Sequence, residues 1–161
     1  MDRFTHAVLR AYAVALLPLS FALLSDAASA AEPEATIGHV KTVVGEAWVG
    51  VRESIVAAQV GTPVLVGSTL KTGPEGSLGV TLNDETVISI GPDSEVSVEE
   101  FAFNPEAGDL KLGASMVRGT LNFISGLIAK MRPEAQTVRT PTGMIGVRGT
   151  HFLVKVTPPN P

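Results

Sequence analysis

The 161-residue chain has no cysteine. That absence removes disulfide frameworks, thiol catalysis, Cys-ligated zinc and a lipid-modified N-terminal Cys. Aromatic residues are scarce at 5%, with a single Trp. Charged residues amount to 17%, below the usual quarter of a soluble domain. The net charge is −4, whereas a nucleic-acid surface needs clustered Lys and Arg, so no nucleic-acid partner is expected. The apolar uncharged stretch at residues 11–24 falls short of the ~20 apolar residues of a membrane span. What the chain does have is 16 Gly and 11 Pro, a composition of many turns and therefore many short elements.

The first thirty residues read as an address. Arg3, His6 and Arg10 precede the uncharged stretch, which Pro18 interrupts, and Ala28-Ser29-Ala30 is a small-x-small cleavage signal. A basic start, an apolar middle and a small-residue exit predict a secretory signal peptide over residues 1–30, with Ala28 and Ala30 at the cleavage site. Removal takes Arg3 and Arg10 together with Asp2 and Asp26, leaving the net charge at −4. The expected location is periplasmic or secreted, and a chain without cysteines folds there without mispairing.

Beyond a polar start at residues 31–36, apolar residues come in short runs separated by Gly, Pro, Asn or Asp. Leu78, Val80 and Leu82 alternate with Gly79 and Thr81. Ile88 and Ile90, Val96 and Val98, Leu110 and Leu112, and Leu121 and Phe123 repeat the same period of two. Strand centres thus recur about every 8–12 residues, the rhythm of an all-β domain. The expectation is one all-β domain of short strands, β-solenoid-like or roll-like, with a β-sandwich as the alternative. Its boundaries are a lead-in over 31–44, the β domain over 45–156 and a tail over 157–161. Residues 53–60 (ESIVAAQV) and 123–132 (FISGLIAKMR) carry mixed signals. Both are assigned to strand or loop, since Gly126 weakens a helix in the second.

Residues 140–156, TPTGMIGVRGTHFLVKV, contain a phase change. Ile145 and Val147 are apolar at odd positions, and Phe152, Val154 and Val156 at even ones. One continuous strand cannot bury both sets on one face, so a bulge or corner is expected between Val147 and Phe152, with Gly149 best able to absorb it. Gly143, Gly146 and Gly149 would permit tight bends or close backbone approach. The spacing is not that of a phosphate loop: no GxGxxG or GK[ST] is present.

Residues 66–98, VGSTLKTGPEGSLGVTLNDETVISIGPDSEVSV, resemble the strand-turn core of FecR domains. Gly67, Leu70, Thr72-Gly73, Ser77, Val80, Leu82, Asp84, Val87, Ile90, Pro92, Ser94 and Val96 follow the first part of that pattern. Arg118-Gly119-Thr120-Leu121 suits its middle. Thr140, Pro141, Gly143, Gly146 and Val147-Arg148-Gly149-Thr150-His151-Phe152 suit its end, and VRGT-x-F is the most specific element. Two departures stand in turns: Ser68 where Asp is usual, and Asp84-Glu85-Thr86 in place of Asp-Gly-Ser. The resemblance implies a compact all-β module outside the inner membrane. It also implies a non-catalytic sensory or protein-interaction role, in envelope or metal-uptake signalling, in a stand-alone secreted form.

Catalysis finds little support. His39 and His151 are the histidines beyond the signal, and no GxSxG or other nucleophile signature accompanies them. Asp93 and Glu95 share a face if extended, a spacing glycosidase acids sometimes show. No DxDxDG loop suggests calcium. No cofactor and no metal are expected. Three residues are candidates for binding. Trp48 either caps one end of the aromatic-poor core or stacks on a sugar or partner. Arg148 either ties loop carbonyls and a carboxylate such as Asp84 or Asp93, or meets a partner. His151 is a solvated strand position or a contact residue. The partners expected are an envelope or membrane protein, with peptidoglycan or another glycan as the alternative.

Overall fold

A computed structural model of the chain describes residues 35–146 and 151–157. The expected signal peptide, the expected cleavage residues Ala28 and Ala30, and Arg148, Gly149 and Thr150 lie outside the described residues.

The period of two is realised as strands. In chain order these are β1 (Thr36–Val44), β2 (Ala47–Val51), β3 (Ser54–Ala57), β4 (Pro63–Leu65), β5 (Thr69–Thr72) and β6 (Ser77–Leu82), followed by β7 (Val87–Ile90), β8 (Glu95–Asn104) and β9 (Asp109–Ile124). A helix α1 (Leu127–Met131) precedes β10 (Gln136–Thr140), β11 (Gly143–Gly146) and β12 (His151–Val156). The domain is all-β, as the spacing implied. One sheet curls into an open half-barrel, in the order β3-β2-β5-β8-β9-β7-β6-β1-β4, with β10 and β12 also paired to β9 and β11 to β10. Pairing is antiparallel except between β9 and β10, so the stacking is that of a roll. β1 lies between β6 and β4 and is an integral strand of the sheet.

The inward face carries the alternating residues read from sequence. Leu78, Val80, Leu82, Ile88, Ile90, Val96, Val98, Leu110, Leu112, Leu121 and Phe123 are all buried in one core. Fully burying each such side chain contributes roughly 1.5–3 kcal/mol before chain entropy is subtracted. Phe101 and Phe103 follow Val98 at the wrong parity, but a register shift between Val98 and Glu100 admits an extra residue. Both rings thereby still pack against the core. Either side of the second phase change the chain pairs differently: β11, ending at Gly146, pairs β10, and β12, beginning at His151, pairs β9, while the bulge or corner expected at Gly149 lies outside the described residues. Phe152, Val154 and Val156 then turn inward, and Phe152 stacks on Phe123 with ring centroids 5.0 Å apart.

One assignment is corrected. Residues 123–132 are not strand or loop throughout: β9 ends at Ile124 and Leu127–Met131 is helical. The helix is too short for a periodic signal and is organised from a distance. The Leu127 and Ile128 amides donate to the backbone carbonyl and to Oδ2 of Asp84, at 2.7 and 3.4 Å, while Ile128 plugs the core. Gly126 stays outside the helix, where a Cβ would overlap the Asp84 carbonyl and the Thr86 amide. In residues 53–60, Ser54–Ala57 forms β3, the outer strand of a hairpin with β2.

Candidate functional site

The face of the sheet turned away from the core carries an ordered row. The pairing places Ala57 beside Trp48, Trp48 beside Lys71, Lys71 beside Glu95 and Glu95 beside Arg118. The row crosses β3, β2, β5, β8 and β9 at right angles to the strands. It can form because strand side chains alternate faces: Ala47 and Val49 are buried, which sends Trp48 outward. Trp48 is half-buried and is not among the residues packed on the core, so it does not cap it. Glu95 holds Lys71 Nζ at 3.1 Å and Arg118 at 3.8 Å.

A second row runs alongside: Ile55, Gly50, Thr69, Ser97 and Ser115, again in register. Its middle members are small. Thr69 and Ser97 share a hydroxyl hydrogen bond of 2.9 Å. A large row beside a small one makes a trough. Trp48, Gly50, Arg52, Ile55, Thr69, Lys71 and Glu95 line a hollow in it of about 110 Å³, below the range of pockets that enclose a cofactor. Such a trough can hold the edge or face of a ligand, with one flat apolar surface and alternating donors and acceptors beside it.

The remaining sequence candidates lie elsewhere. His151 is on β12, in the half of the sheet that pairs with the end of β9, and its Nε2–H donates to Oδ1 of Asn122 at 2.6 Å. An amide orients it, not a carboxylate. Asp93 and Glu95 are not a pair: Asp93 sits in a turn at φ +48°, and Glu95 is taken up by two cations. Thr140 and Pro141 build the β10–β11 hairpin, where the Thr140 hydroxyl donates to the Gly143 carbonyl at 3.0 Å. A Cβ on Gly143 or Gly146 would meet nothing within 4 Å, so neither glycine marks a close approach. Among the described residues no group of three or more His, Asp or Glu side chains is placed to hold a metal.

Sequence reasoning passed over Lys71, Thr69 and Ser97, which become a unit with Trp48 only through the register. It also passed over a hydroxyl corner. Thr72 Oγ1 donates to the Gly91 carbonyl at 2.6 Å and accepts the Ser94 amide at 3.0 Å. Ser94 Oγ in turn accepts the Thr120 amide at 2.9 Å. Gly119, at φ +95°, passes so close that a Cβ would overlap Ser94 Oγ and Cα. Here β9 leaves β8 and takes up β7. The tetrapeptide VRGT occurs both at 117–120 and at 147–150; the first copy is this corner, and the repetition was the signal available for it.

The family model described as FecR protein matches residues 68–160, more than half of the chain. The chain is a member of the FecR family. No curated protein and no solved structure matches it. FecR proteins are regulatory rather than enzymatic, their domain is typically periplasmic, and they interact with other envelope proteins. Among the described residues no helix is long and apolar enough to cross a membrane.

Both departures from the FecR pattern have a local explanation. Ser68 is buried, and its Oγ accepts the Leu65 amide at 2.9 Å, the turn-closing bond an Asp oxygen also makes. In the second turn Asp84 and Thr86 are buried and bonded to each other, with Glu85 between them at φ +68°. That is the conformation for which the commoner Asp-Gly-Ser turn uses its glycine.

Proposed function

We propose that this FecR protein is an exported, non-catalytic sensory module that docks another protein of the cell envelope. The observation that carries the reading is the family match over residues 68–160. The basic, apolar and small-residue succession at residues 1–30 supports export, and with it a periplasmic or secreted β domain whose sheet includes β1 ahead of residues 45–156. The arrangement of polar groups supports docking rather than turnover. Glu95 is neutralised from both sides, and His151 is turned to an amide, so neither is set up as a general base. Apolar side chains suited to contact stand on the outside: Leu153 on β12 is 73% exposed and Val44 at the end of β1 is 62% exposed.

The test is photo-crosslinking in the cell. A crosslinking residue placed at Leu153 or Val44 should capture a discrete envelope protein, and the captured species should be absent when the probe replaces a buried residue such as Val80. Cytosolic retention of residues 31–161, or turnover by the purified protein that is lost on replacing Glu95, would overturn the proposal. Envelope or metal-uptake signalling is the setting in which such a module would act.

A further inference from the structure

We infer that the trough across β2, β5, β8 and β9 binds an uncharged glycan chain, with Trp48 as its stacking platform. A sugar ring presents one face of C–H groups and an edge of hydroxyls, so its binding site needs a flat apolar surface next to alternating donors and acceptors. Trp48 supplies the surface. The row that continues from it runs donor, acceptor, donor: Lys71, Glu95, Arg118. Successive members stand one strand apart, ~4.8 Å, so a chain laid along the row meets a new polar group at each strand.

The floor is suited to the same ligand. Gly50 leaves room beside Trp48, and the Thr69 and Ser97 hydroxyls lie against each other at 2.9 Å, with Ser115 next in register. The polar groups are held before a ligand arrives. Glu95 bridges Lys71 and Arg118, and the side-chain exposures of 39%, 23% and 50% for Lys71, Glu95 and Arg118 leave each able to reach a ligand. Pre-oriented groups lose less freedom on binding.

Two features favour a glycan over a protein in this trough. Ile55 is the one large aliphatic residue lining the hollow beside Trp48, whereas a protein hot spot seats its aromatic within a ring that excludes water. Lys71 and Arg118 share the one Glu95 carboxylate, so the row presents hydroxyl-binding donors and an acceptor side by side rather than the hydrophobic surround of a protein hot spot. The inference is independent of the docking proposed above, because it concerns a different ligand and the strands β2, β5 and β8, whereas Leu153 stands on β12.

Trp48 is the single Trp of the chain, so intrinsic fluorescence reports on this trough alone. Chitohexaose and cellohexaose, titrated separately into the purified exported protein, should give a saturable change in Trp emission with at least one of them. Response to chitohexaose alone assigns an N-acetylated chain such as wall glycan; response to cellohexaose assigns a plain glucan. Ser97→Tyr, which fills the floor from an outward position, should weaken binding about tenfold or more. Lys71→Met serves the same purpose if Ser97→Tyr lowers the thermal midpoint. Absence of a saturable change with both sugars up to about 10 mM overturns the inference. So does unchanged affinity in a variant that keeps its thermal midpoint. Neither failure would touch the crosslinking result at Leu153.

Discussion

Thr86 Oγ1 donates to Oδ2 of Asp84 at 2.7 Å, and both residues are completely buried. The same hydroxyl accepts the Gly126 amide at 3.0 Å, and Asp84 Oδ1 accepts the Thr86 amide at 3.1 Å. With the Leu127 amide turned to the Asp84 backbone carbonyl and the Ile128 amide to its Oδ2, the four-residue turn between β6 and β7 organises a segment forty residues later in the chain. A carboxylate buried without partners would be very unfavourable; this one is met by three donors, the Thr86 amide and hydroxyl and the Ile128 amide. Thr86→Val removes the hydroxyl and leaves the carboxylate and the Gly126 amide short of a partner. A loss of about 1–3 kcal/mol is expected in chemical denaturation. Thr86→Ser, which keeps the hydroxyl, should recover most of it. Equal loss in both variants would mean that the methyl, not the hydroxyl, matters.

Glu85 tests the same turn from the backbone side. It is exposed and left-handed at φ +68°, a conformation that disfavours any residue with a Cβ by roughly 1–2 kcal/mol. Glycine removes that strain but gives the unfolded chain more freedom, which offsets roughly 0.5–1 kcal/mol. Glu85→Gly should therefore raise stability by about 0.5–1 kcal/mol, and Glu85→Val should lower it. A glycine variant no more stable than the parent would show that the Glu85 side chain makes a compensating contact.

The strands were legible because each buries one face. From Leu78 to Phe123 the alternating residues read from sequence all face inward, Ala114 and Met116 of β9 joining them unread, and the parity change at Phe101 is absorbed by one extra residue in β8. Helix α1 was not legible, since five residues hold too little periodicity and the groups that start it belong to Asp84. The trough was half legible. Trp48 stood out as the lone Trp, but whether it faced the core depended on its alternation with Val49 and Ala47. Its neighbours Lys71 and Glu95 were set by strand order, which no local pattern contains. Gly143 and Gly146 drew attention by their spacing, whereas steric demand falls on others, Gly119 and Gly126 among them.

That contrast gives a paired prediction. Gly119→Ala forces a Cβ into Ser94 and strains a left-handed residue at φ +95°. The corner that couples β8, β9 and β7 must open, at a cost of about 3 kcal/mol or more. Gly143→Ala adds a methyl to open space at an exposed strand position and should change stability by less than about 0.5 kcal/mol. Thermal midpoints of the two variants separate the readings. Comparable losses would show that the spacing of the glycines, not their packing, governs the fold.

Gln136 supplies the opposite kind of test. It opens β10 beside Leu112 of β9 and is 1% exposed, yet neither its Oε1 nor its Nε2 has a hydrogen-bond partner. A buried amide in that state destabilises the folded chain by about 1–3 kcal/mol relative to an apolar side chain of the same shape. Val138, the next inward residue of β10, is part of the core, so an apolar neighbour at position 136 extends an existing cluster. Gln136→Met keeps the length and flexibility of the side chain and removes both polar atoms. It should stabilise the domain by about 1–2 kcal/mol, read as a shift of the denaturation midpoint without change in its slope. A destabilised Met variant would instead place a bound water on the amide.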